Sequence, residues 1–274
     1  MESRPSQQSA PALKPSRPKN VATQRSEPPK PEEPSPKEAS RKPDPPVTAP
    51  HPKAKPATVA TDDAEQPAHP VSNAWAEFSR GNPDSPKIAL TFDAGWENRP
   101  GPKILDVLAK HNIHSTFFLT GMWVEKNQNL TRRIIAEGHE IGNHTWSHKR
   151  LTKLSASEIE AEADKAEQLI IKITGRSAKP LLRIPYGERD KRVLSVLAKL
   201  GYRSIYWDED CLDSVKPNVT SDEIEERVMR KTRNGSVVLM HIGSDATANA
   251  LDSILQKLQV AGFQPVTVGE LLNN

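Results

Sequence analysis

Short apolar segments alternate with amphipathic segments throughout residues 86–274. Each apolar segment is four or five residues long, as in the run IALTF at residues 88–92. Runs of this length, bounded by polar and turn residues, are typical of buried strands rather than of helices. We therefore predict strands at residues 88–92, 115–119, 140–143, 181–184, 203–207, 236–240 and 264–267.

The intervening segments carry the start and stop signals of helices. Ser155 with Glu158, and Thr220 with Glu223, form the Ser/Thr-x-x-Glu pattern of a capping box. The long helix predicted at residues 155–174 places its apolar residues on one face. Glycines suited to a left-handed position follow five of the helical stretches: Gly138, Gly175, Gly201, Gly235 and Gly262.

Seven strand–helix units are thus predicted within residues 86–274. Strands that alternate with helices in this way favour a parallel sheet covered by helices. The sequence predicts one α/β domain, either closed into a barrel or doubly wound.

Residues 1–85 have a different composition. Residues 1–70 contain 17 of the 25 prolines, no glycine, no aromatic residue and a single leucine, Leu13. Such a segment cannot bury enough apolar surface to offset its chain entropy, so we predict that residues 1–85 are disordered. A proline-rich, glycine-poor chain favours an extended spacer, with an unselected tail and a PxxP ligand for partner domains as the alternatives.

Charge and cysteine content exclude several functional classes. A formal net charge of +3 over 274 residues does not suggest a nucleic-acid binder. The single cysteine, Cys211, excludes an internal disulfide and a multi-cysteine metal cage. No stretch reaches the roughly 18 apolar residues of a membrane-spanning helix, and the residues after Met1 do not resemble a signal peptide.

Chemically active side chains recur where the predicted strands end. In parallel α/β folds these carboxyl ends share one rim, on which active sites form. Strands two and seven supply nothing comparable. We expect the following residues on one rim: Asp93, His144, His148, Arg183, Pro185, Tyr186, Asp208, Asp210, Asp213 and His241.

His144 and His148 are the strongest local signal of this set. If residues 144–148 form a helical turn, the two imidazoles share one face, a spacing that suits metal binding. The alternative is a pair of structural histidines. Zinc peptidases of the H-E-x-x-H type require a glutamate directly after the first histidine, and that position is Thr145.

Asp93 and His241 offer a carboxylate base and an imidazole acid for one hydrolytic site. Arg183 is a candidate to keep Asp93 ionised, and Asp213 is a candidate to raise the pKa of His241. The alternative interpretation of both pairs is an ion pair that stabilises the fold. The motifs of serine hydrolases, P-loop NTPases and dinucleotide-binding enzymes do not occur in the sequence.

Five ordered motifs resemble the NodB-homology polysaccharide deacetylases, carbohydrate esterase family 4. The resemblance covers about residues 86–272. It is carried by TFDAG at 91–95, HTWSH at 144–148, RIPY at 183–186, DCLDS at 210–214 and LMH at 239–241. It implies a distorted (β/α)7 barrel of the NodB-homology type and a hydrolase that removes N-acetyl groups from amino sugars.

The resemblance also implies roles for individual residues. A divalent metal would bind His144 and His148, with zinc as the expected ion and cobalt or manganese as alternatives. Asp93 would take a proton from the attacking water, and His241 would return one to the leaving amine. The remaining assignments are Arg183 and Asp213 as partners of the catalytic pair, Tyr186 with Pro185 at the oxyanion, and Leu239 against the acetyl methyl.

Two positions depart from the family pattern. Ala94 stands where the family has a second aspartate that binds the metal, and Ser214 replaces a tryptophan. Glu97 is a candidate substitute ligand, with Asp93 or a water molecule as alternatives. The string TFDAGWEN at residues 91–98 is similar to the N-acetylmuramic acid deacetylase branch, which also lacks the second aspartate and acts on peptidoglycan.

Three functions remain open from the sequence. The first is a metal-dependent N-deacetylase of a cell-wall polysaccharide, with peptidoglycan as the expected partner. The second is a weakly active or inactive glycan-binding homologue, and the third is a metal-assisted hydrolase of another acyl group. A cell-wall substrate predicts an envelope, periplasmic or secreted location, and we expect a monomer that binds no nucleic acid.

Overall fold

The computed structural model describes residues 77–95 and 98–273 of the chain. The predicted spacer up to residue 76 lies outside these residues, and so do Trp96, the candidate ligand Glu97 and Asn274. Within the described residues, no helix combines the length and the apolar character needed to cross a bilayer.

The described residues form a parallel α/β fold, as the alternating pattern predicts. The strands are Lys87–Ala94 (β1), Thr116–Leu119 (β2), Glu140–Asn143 (β3), Leu181–Leu182 (β4), Arg203–Ser204 (β5), Glu209–Asp210 (β6), Val237–His241 (β7) and Gln264–Pro265 (β8). The helices are Gly101–Lys110 (α1), Gly121–Lys126 (α2), Gln128–Ala136 (α3), Ala156–Thr174 (α4), Lys191–Lys199 (α5), Ser221–Lys231 (α6), Asp245–Val260 (α7) and Val268–Leu272 (α8).

The helix boundaries follow the capping chemistry of the sequence. Ser155 and Thr220 begin α4 and α6 with the predicted capping boxes, in which side chain and backbone exchange hydrogen bonds with Glu158 and Glu223. The five predicted glycines all have left-handed backbones, with φ between +71° and +85°.

The sheet has the strand order β5-β4-β3-β2-β1-β7-β6, and β8 pairs with β1 beyond this path. All the strand pairs are parallel. The structure adds one strand to the seven predicted, the two-residue β6. The path ends at β5 and β6, so the fold is an incomplete barrel of the distorted type that the motif resemblance implies.

Alternation along β1 separates the core from the site. Ile88, Leu90, Phe92 and Ala94 belong to the large apolar cluster that also contains residues of α1, α6 and α7. Ala89 faces the other way, into a smaller cluster with α8. Because side chains alternate along a strand, Asp93 lies on the face opposite Ala94, at the carboxyl end of β1.

Residues 77–85 belong to the folded unit, which corrects the predicted boundary of the spacer at residue 85. Phe78 pairs with Ile205 just after β5, and Arg80 pairs with Ser236 just before β7. Arg80 Nη2 also donates to the carbonyl oxygen of Asn234 at 2.8 Å. The segment therefore contacts the sheet next to β5 and next to β7, near the two ends of the strand path.

Candidate active site

The carboxyl ends of the strands surround a cleft of about 630 Å³. Residues at or after the ends of six strands line it, so side chains far apart in sequence meet as the rim argument predicts. The predicted site residues that line it are Asp93, His144, His148, Tyr186, Asp213, Leu239 and His241.

Arg183 lies beneath the cleft and anchors Asp93. Its side chain has no solvent exposure, and its Nη1 donates to Asp93 Oδ1 at 2.7 Å and to Thr91 Oγ1 at 2.8 Å. Its Nε donates to the carbonyl oxygen of Ile205 at 3.2 Å. The guanidinium is thus hydrogen-bonded to buried protein groups, and it acts on the cleft only through Asp93.

The pKa of Asp93 lies below its usual value. Burial acts to raise it, but the charge of Arg183, then the charges of His144 and His241, and the hydrogen bond from Arg183 outweigh burial. Asp93 therefore stays ionised at neutral pH and is able to accept a proton.

Asp213 holds His241 in place through two contacts. Its Nδ1 lies 2.7 Å from Asp213 Oδ1, and its backbone N–H donates to Asp213 Oδ2 at 2.9 Å. Burial acts to lower the pKa of His241, but the hydrogen bond and charge of Asp213, followed by the charges of Asp93 and Asp210, raise it above its usual value. His241 is thus suited to carry a proton into the reaction.

The loop that carries His144 and His148 is not the helical turn that the sequence predicted. Thr145 and His148 both have left-handed backbones, with φ of 66° and 58°. The two imidazoles nevertheless meet edge to face, with ring centroids 4.8 Å apart. The four-residue spacing therefore brings the rings together through a tight loop.

Two buried side chains hold this loop in place. Asn143 Oδ1 accepts from the backbone N–H of Thr145 at 2.8 Å, while Asn143 Nδ2 donates to the carbonyl oxygen of Ala163 on α4. Glu162, also on α4, accepts from the backbone N–H of Ser147 at 2.8 Å and from its hydroxyl at 2.6 Å. Sequence reasoning missed both residues, because neither belongs to a motif of reactive side chains.

Comparison with known proteins matches this arrangement to a family. The family model for polysaccharide deacetylase matches residues 80–205. Peptidoglycan-N-acetylmuramic acid deacetylase PdaA of Bacillus subtilis is 33% identical over 77% of this chain and 80% of its own length.

The chain belongs to the polysaccharide deacetylase family.

Relatives within this family differ in their described activity. A peptidoglycan-N-acetylglucosamine deacetylase of Bacillus cereus is 36% identical over 66% of each chain. The solved structure of a carbohydrate esterase family 4 pseudoenzyme from Bacillus anthracis is 32% identical and covers 72% of this chain and 69% of its own, with a TM-score of 0.69. A mutant of that pseudoenzyme is described as having restored enzymatic activity.

The two histidines fit the divalent metal that the deacetylase family implies. His144 Nδ1 donates to the carbonyl oxygen of Arg183 at 2.8 Å, which leaves the lone pair of Nε2 free beside Asp93 Oδ2 at 3.6 Å. His148 Nδ1 is buried and has no hydrogen-bond partner among the described residues. Burial and the neighbouring His144 lower the pKa of His148 to about 4, so its ring is neutral, as a metal ligand must be.

A third protein ligand is not assembled around these rings. Among the described residues, no group of three or more histidine, cysteine, aspartate or glutamate side chains is placed to hold a metal ion. Ala94 is fully buried in the large apolar cluster and does not line the cleft. The carboxylate oxygen Oδ2 of Asp93 lies 3.6 Å from His144 Nε2.

Two sequence-predicted positions, Pro185 and Asp208, do not line the cleft. Pro185 is buried and does not line the cleft, whereas Tyr186 is 55% exposed at the cleft wall with a left-handed backbone (φ 60°). Asp208 is absent from the cleft and accepts from the backbone N–H of Val237 at 2.8 Å, at the amino end of β7. Burial and nearby carboxylates raise the pKa of Cys211, so its thiol is a poor nucleophile.

The cleft also contains residues that sequence reasoning missed. Arg150, Trp207 and Val215 line its walls. Trp207 lies just after β5 and adds an indole ring to the lining of the cleft. Arg150 and Val215 belong to none of the predicted strands or quoted motifs, and Trp207 ends the predicted strand 203–207 with an apolar side chain that gives no chemical signal. Only the folded chain brings the three to the cleft.

Proposed function

We propose that the chain is a metal-dependent N-deacetylase that hydrolyses N-acetyl groups of amino sugars in peptidoglycan. One observation carries the proposal. Asp93 and His241 face the same cleft, and their surroundings shift their pKa values in opposite directions. A carboxylate with a lowered pKa is ionised, and an imidazole with a raised pKa is protonated. These are the states that a general base and a general acid require at one pH.

The reaction follows from these two states. Asp93 takes a proton from water as the water oxygen bonds to the amide carbonyl carbon. His241 then gives its proton to the amine nitrogen as the carbon–nitrogen bond breaks, leaving acetate and a free amino sugar. Arg183 positions Asp93, and Asp213 positions His241, through the contacts at 2.7 Å that each pair makes.

The remaining cleft residues have supporting roles. Leu239 is only 4% exposed and offers an apolar wall to the acetyl methyl. The left-handed backbone of Tyr186 places this residue at the cleft wall, where its N–H is the candidate donor to the oxyanion. A divalent ion held by His144 and His148, with zinc as the expected identity, would polarise the carbonyl and lower the pKa of water.

The proposed substrate sets the expected context of the protein. Relatives named as peptidoglycan deacetylases support a polysaccharide partner and a location at the cell envelope. We propose that the folded domain acts on glycan strands as a monomer.

Acetate release provides the direct test. The full chain, loaded in turn with Zn²⁺, Co²⁺ or Mn²⁺, is incubated with purified peptidoglycan and with N-acetylglucosamine oligomers. We expect free acetate together with a product that lacks the mass of one acetyl group per turnover. If neither substrate yields acetate with any of the three metals, the enzyme proposal is wrong.

A glycan-binding function without catalysis is the second candidate. It is favoured by Ala94, which supplies no metal ligand, and by the relative described as a pseudoenzyme. Glycan binding without acetate release would support this candidate. The intact Asp93–Arg183 and His241–Asp213 pairs favour the enzyme, because binding alone does not require them.

A further inference from the structure

The turn Pro185–Gly187, which follows β4, carries Tyr186 at the cleft. Tyr186 and Gly187 both have left-handed backbones, with φ of 60° and 64°. The ring of Tyr186 lies 4.6 Å from that of His148, centroid to centroid. A residue other than glycine is strained at a positive φ, so contacts from outside the turn must hold Tyr186 in this conformation.

Arg189 anchors this turn although it does not line the cleft. Its Nη1 donates to the carbonyl oxygen of Gly187 at 3.0 Å. The central carbon of its guanidinium also lies 3.6 Å from the centroid of the Tyr206 ring, which is close enough for a cation–π contact. One side chain therefore joins the backbone of the turn to the residues that follow β5.

Tyr206 and Trp207 form the surface against which the turn packs. Their rings are stacked, with centroids 4.1 Å apart and an angle of 14° between the planes, and Trp207 lines the cleft. A Cβ atom at Gly187 would come within 2.7 Å of the Trp207 ring and 2.8 Å of the Tyr206 ring. The turn thus approaches this pair as closely as a residue without a side chain permits.

Glu77 fixes the position of the Arg189 guanidinium. Its two carboxylate oxygens accept from Nε and Nη2 of Arg189, with the Nη2 contact at 2.7 Å, which makes the pair bidentate. The next residue, Phe78, exchanges backbone hydrogen bonds with Ser204 and Tyr206 at 2.9 and 2.7 Å. The segment that contains Glu77 is therefore linked to the cleft through one arginine.

We infer that Arg189, held by Glu77, is a positioning residue for the backbone of Tyr186. The inference rests on the proposed function, in which the N–H of Tyr186 is the candidate donor to the oxyanion. Such a donor stabilises the transition state only if it is already aimed at the developing charge. Because Arg189 does not line the cleft, it acts on the reaction through the geometry of the turn.

The kinetic test measures acetate release from a soluble peptidoglycan oligosaccharide. We expect Arg189→Gln to lower kcat about 10-fold with KM within about 2-fold of wild type, because an oxyanion donor acts in the transition state. The loss is partial, since Glu188 also ties the turn to Thr152. Glu77→Gln lowers kcat about 3-fold, since Arg189 keeps its other contacts. The double variant should match Arg189→Gln alone, because both substitutions break one unit.

Arg133→Gln is the matched control. Arg133 is 32% exposed, close to the 30% of Arg189. It likewise donates to carboxylates, those of Glu137 and Asp106, and to a backbone carbonyl oxygen, that of Pro102, and it does not line the cleft. Its kcat and KM should stay at the wild-type values. A loss of kcat equal to that of Arg189→Gln would instead show a general effect of a broken ion pair and overturn the inference.

Hydrogen exchange in the full chain gives a readout that does not depend on activity. The peptide that spans residues 183–188 contains the turn but not the substituted position. We expect Arg189→Gln to accelerate exchange in this peptide about 5-fold or more, because the turn loses its anchor and opens more often. Arg133→Gln should leave this exchange unchanged.

The two readouts separate this inference from the proposed function. Exchange at the wild-type rate in Arg189→Gln, an unchanged kcat, or a change confined to KM would overturn the inference. If the wild type releases no acetate, the deacetylase proposal fails, and exchange alone then decides whether Arg189 holds the turn. Thermal unfolding of each variant verifies that the compared proteins are folded.

Discussion

Asp213 contacts His241 at two points, the ring nitrogen Nδ1 and the backbone N–H. The side chain of Asp213 has no solvent exposure, and Thr247 donates to the same carboxylate oxygen as the backbone at 2.5 Å. Both carboxylate oxygens of Asp213 therefore accept hydrogen bonds, and the imidazole of His241 is fixed with Nε2 as its free nitrogen. The same contacts favour the protonated ring, because the negative charge is buried next to it.

Replacing Asp213 by asparagine should move the alkaline limb of the pH profile. The change removes the charge that raises the pKa of His241, so the acid loses its proton at lower pH. We expect the alkaline limb of kcat/KM to shift toward lower pH and the rate at neutral pH to fall. The control Asp210→Asn removes a more weakly acting carboxylate, and a shift equal to that of Asp213→Asn would contradict the assignment.

Replacing Asp93 by asparagine should lower kcat by about 10²-fold or more, as expected for the loss of a general base. The substitution preserves size but cannot accept a proton from water. Single-turnover acetate release measures the effect, and circular dichroism verifies the fold, because Arg183 loses its charged partner. Asp190→Asn, an exchange at the exposed N-cap of α5, is the matched control and should retain wild-type turnover.

Replacing either histidine of the 144–148 loop by glutamine should reduce metal binding. In the proposed metal site, the neutral rings of His144 and His148 would supply the two nitrogen ligands, and a single remaining imidazole would bind a divalent ion weakly. We expect the Zn²⁺ content of dialysed protein to fall from near one equivalent toward zero, about 10-fold or more. His114→Gln is the control, since His114 is exposed and outside the cleft; equal metal content in all four proteins would exclude this site.

His139 should make the fold sensitive to acid. It is 3% exposed, and burial lowers the pKa of its ring from 6.5 to about 4, although Glu137 acts in the opposite direction. Between these pH values the unfolded chain binds more protons than the folded chain, so the free energy of unfolding falls as the pH is lowered. The effect approaches about 3 kcal/mol at pH 4.

Urea unfolding of the wild type and His139→Gln from pH 7.5 to pH 4.5 measures this effect. The variant loses packing at every pH, but it lacks the proton uptake of the imidazole. The difference in unfolding free energy between the two proteins should therefore shrink as the solution becomes acidic. A constant difference across this range would show that His139 does not cause the acid sensitivity.

The sequence predicts the strands and helices well wherever apolar periodicity and capping residues coincide. Helix α4 begins after Ser155 and ends before Gly175, as its signals indicate. Strand β6 was missed, because Glu209 and Asp210 have no apolar pattern and pair only through the hydrogen bonds that β7 offers. The folded unit begins earlier than expected, because single residues such as Phe78 pair with the sheet without forming a recognisable strand.

The site is predictable where residues follow strand ends and not where loops fold back. Asp93 and His241 are paired neighbours in the β1–β7 register, so their proximity follows from the topology. The loop of His144 and His148 has a spacing compatible with a helix, but Thr145 and His148 adopt left-handed backbones that Asn143 and α4 stabilise. Arg150 reaches the cleft through its stack on Tyr186, a tertiary contact without a local signature.

The pairing of Arg80 with Ser236 fixes where residues 77–85 meet the sheet. Ser236 lies at the amino end of β7, and His241 lies at the carboxyl end of the same strand. Five residues of strand, about 16 Å, separate the two positions. The Arg80 pairing therefore lies at the end of β7 opposite to the cleft, and residues 77–80 leave the cleft lining entirely to the carboxyl ends of the strands and the loops that follow them.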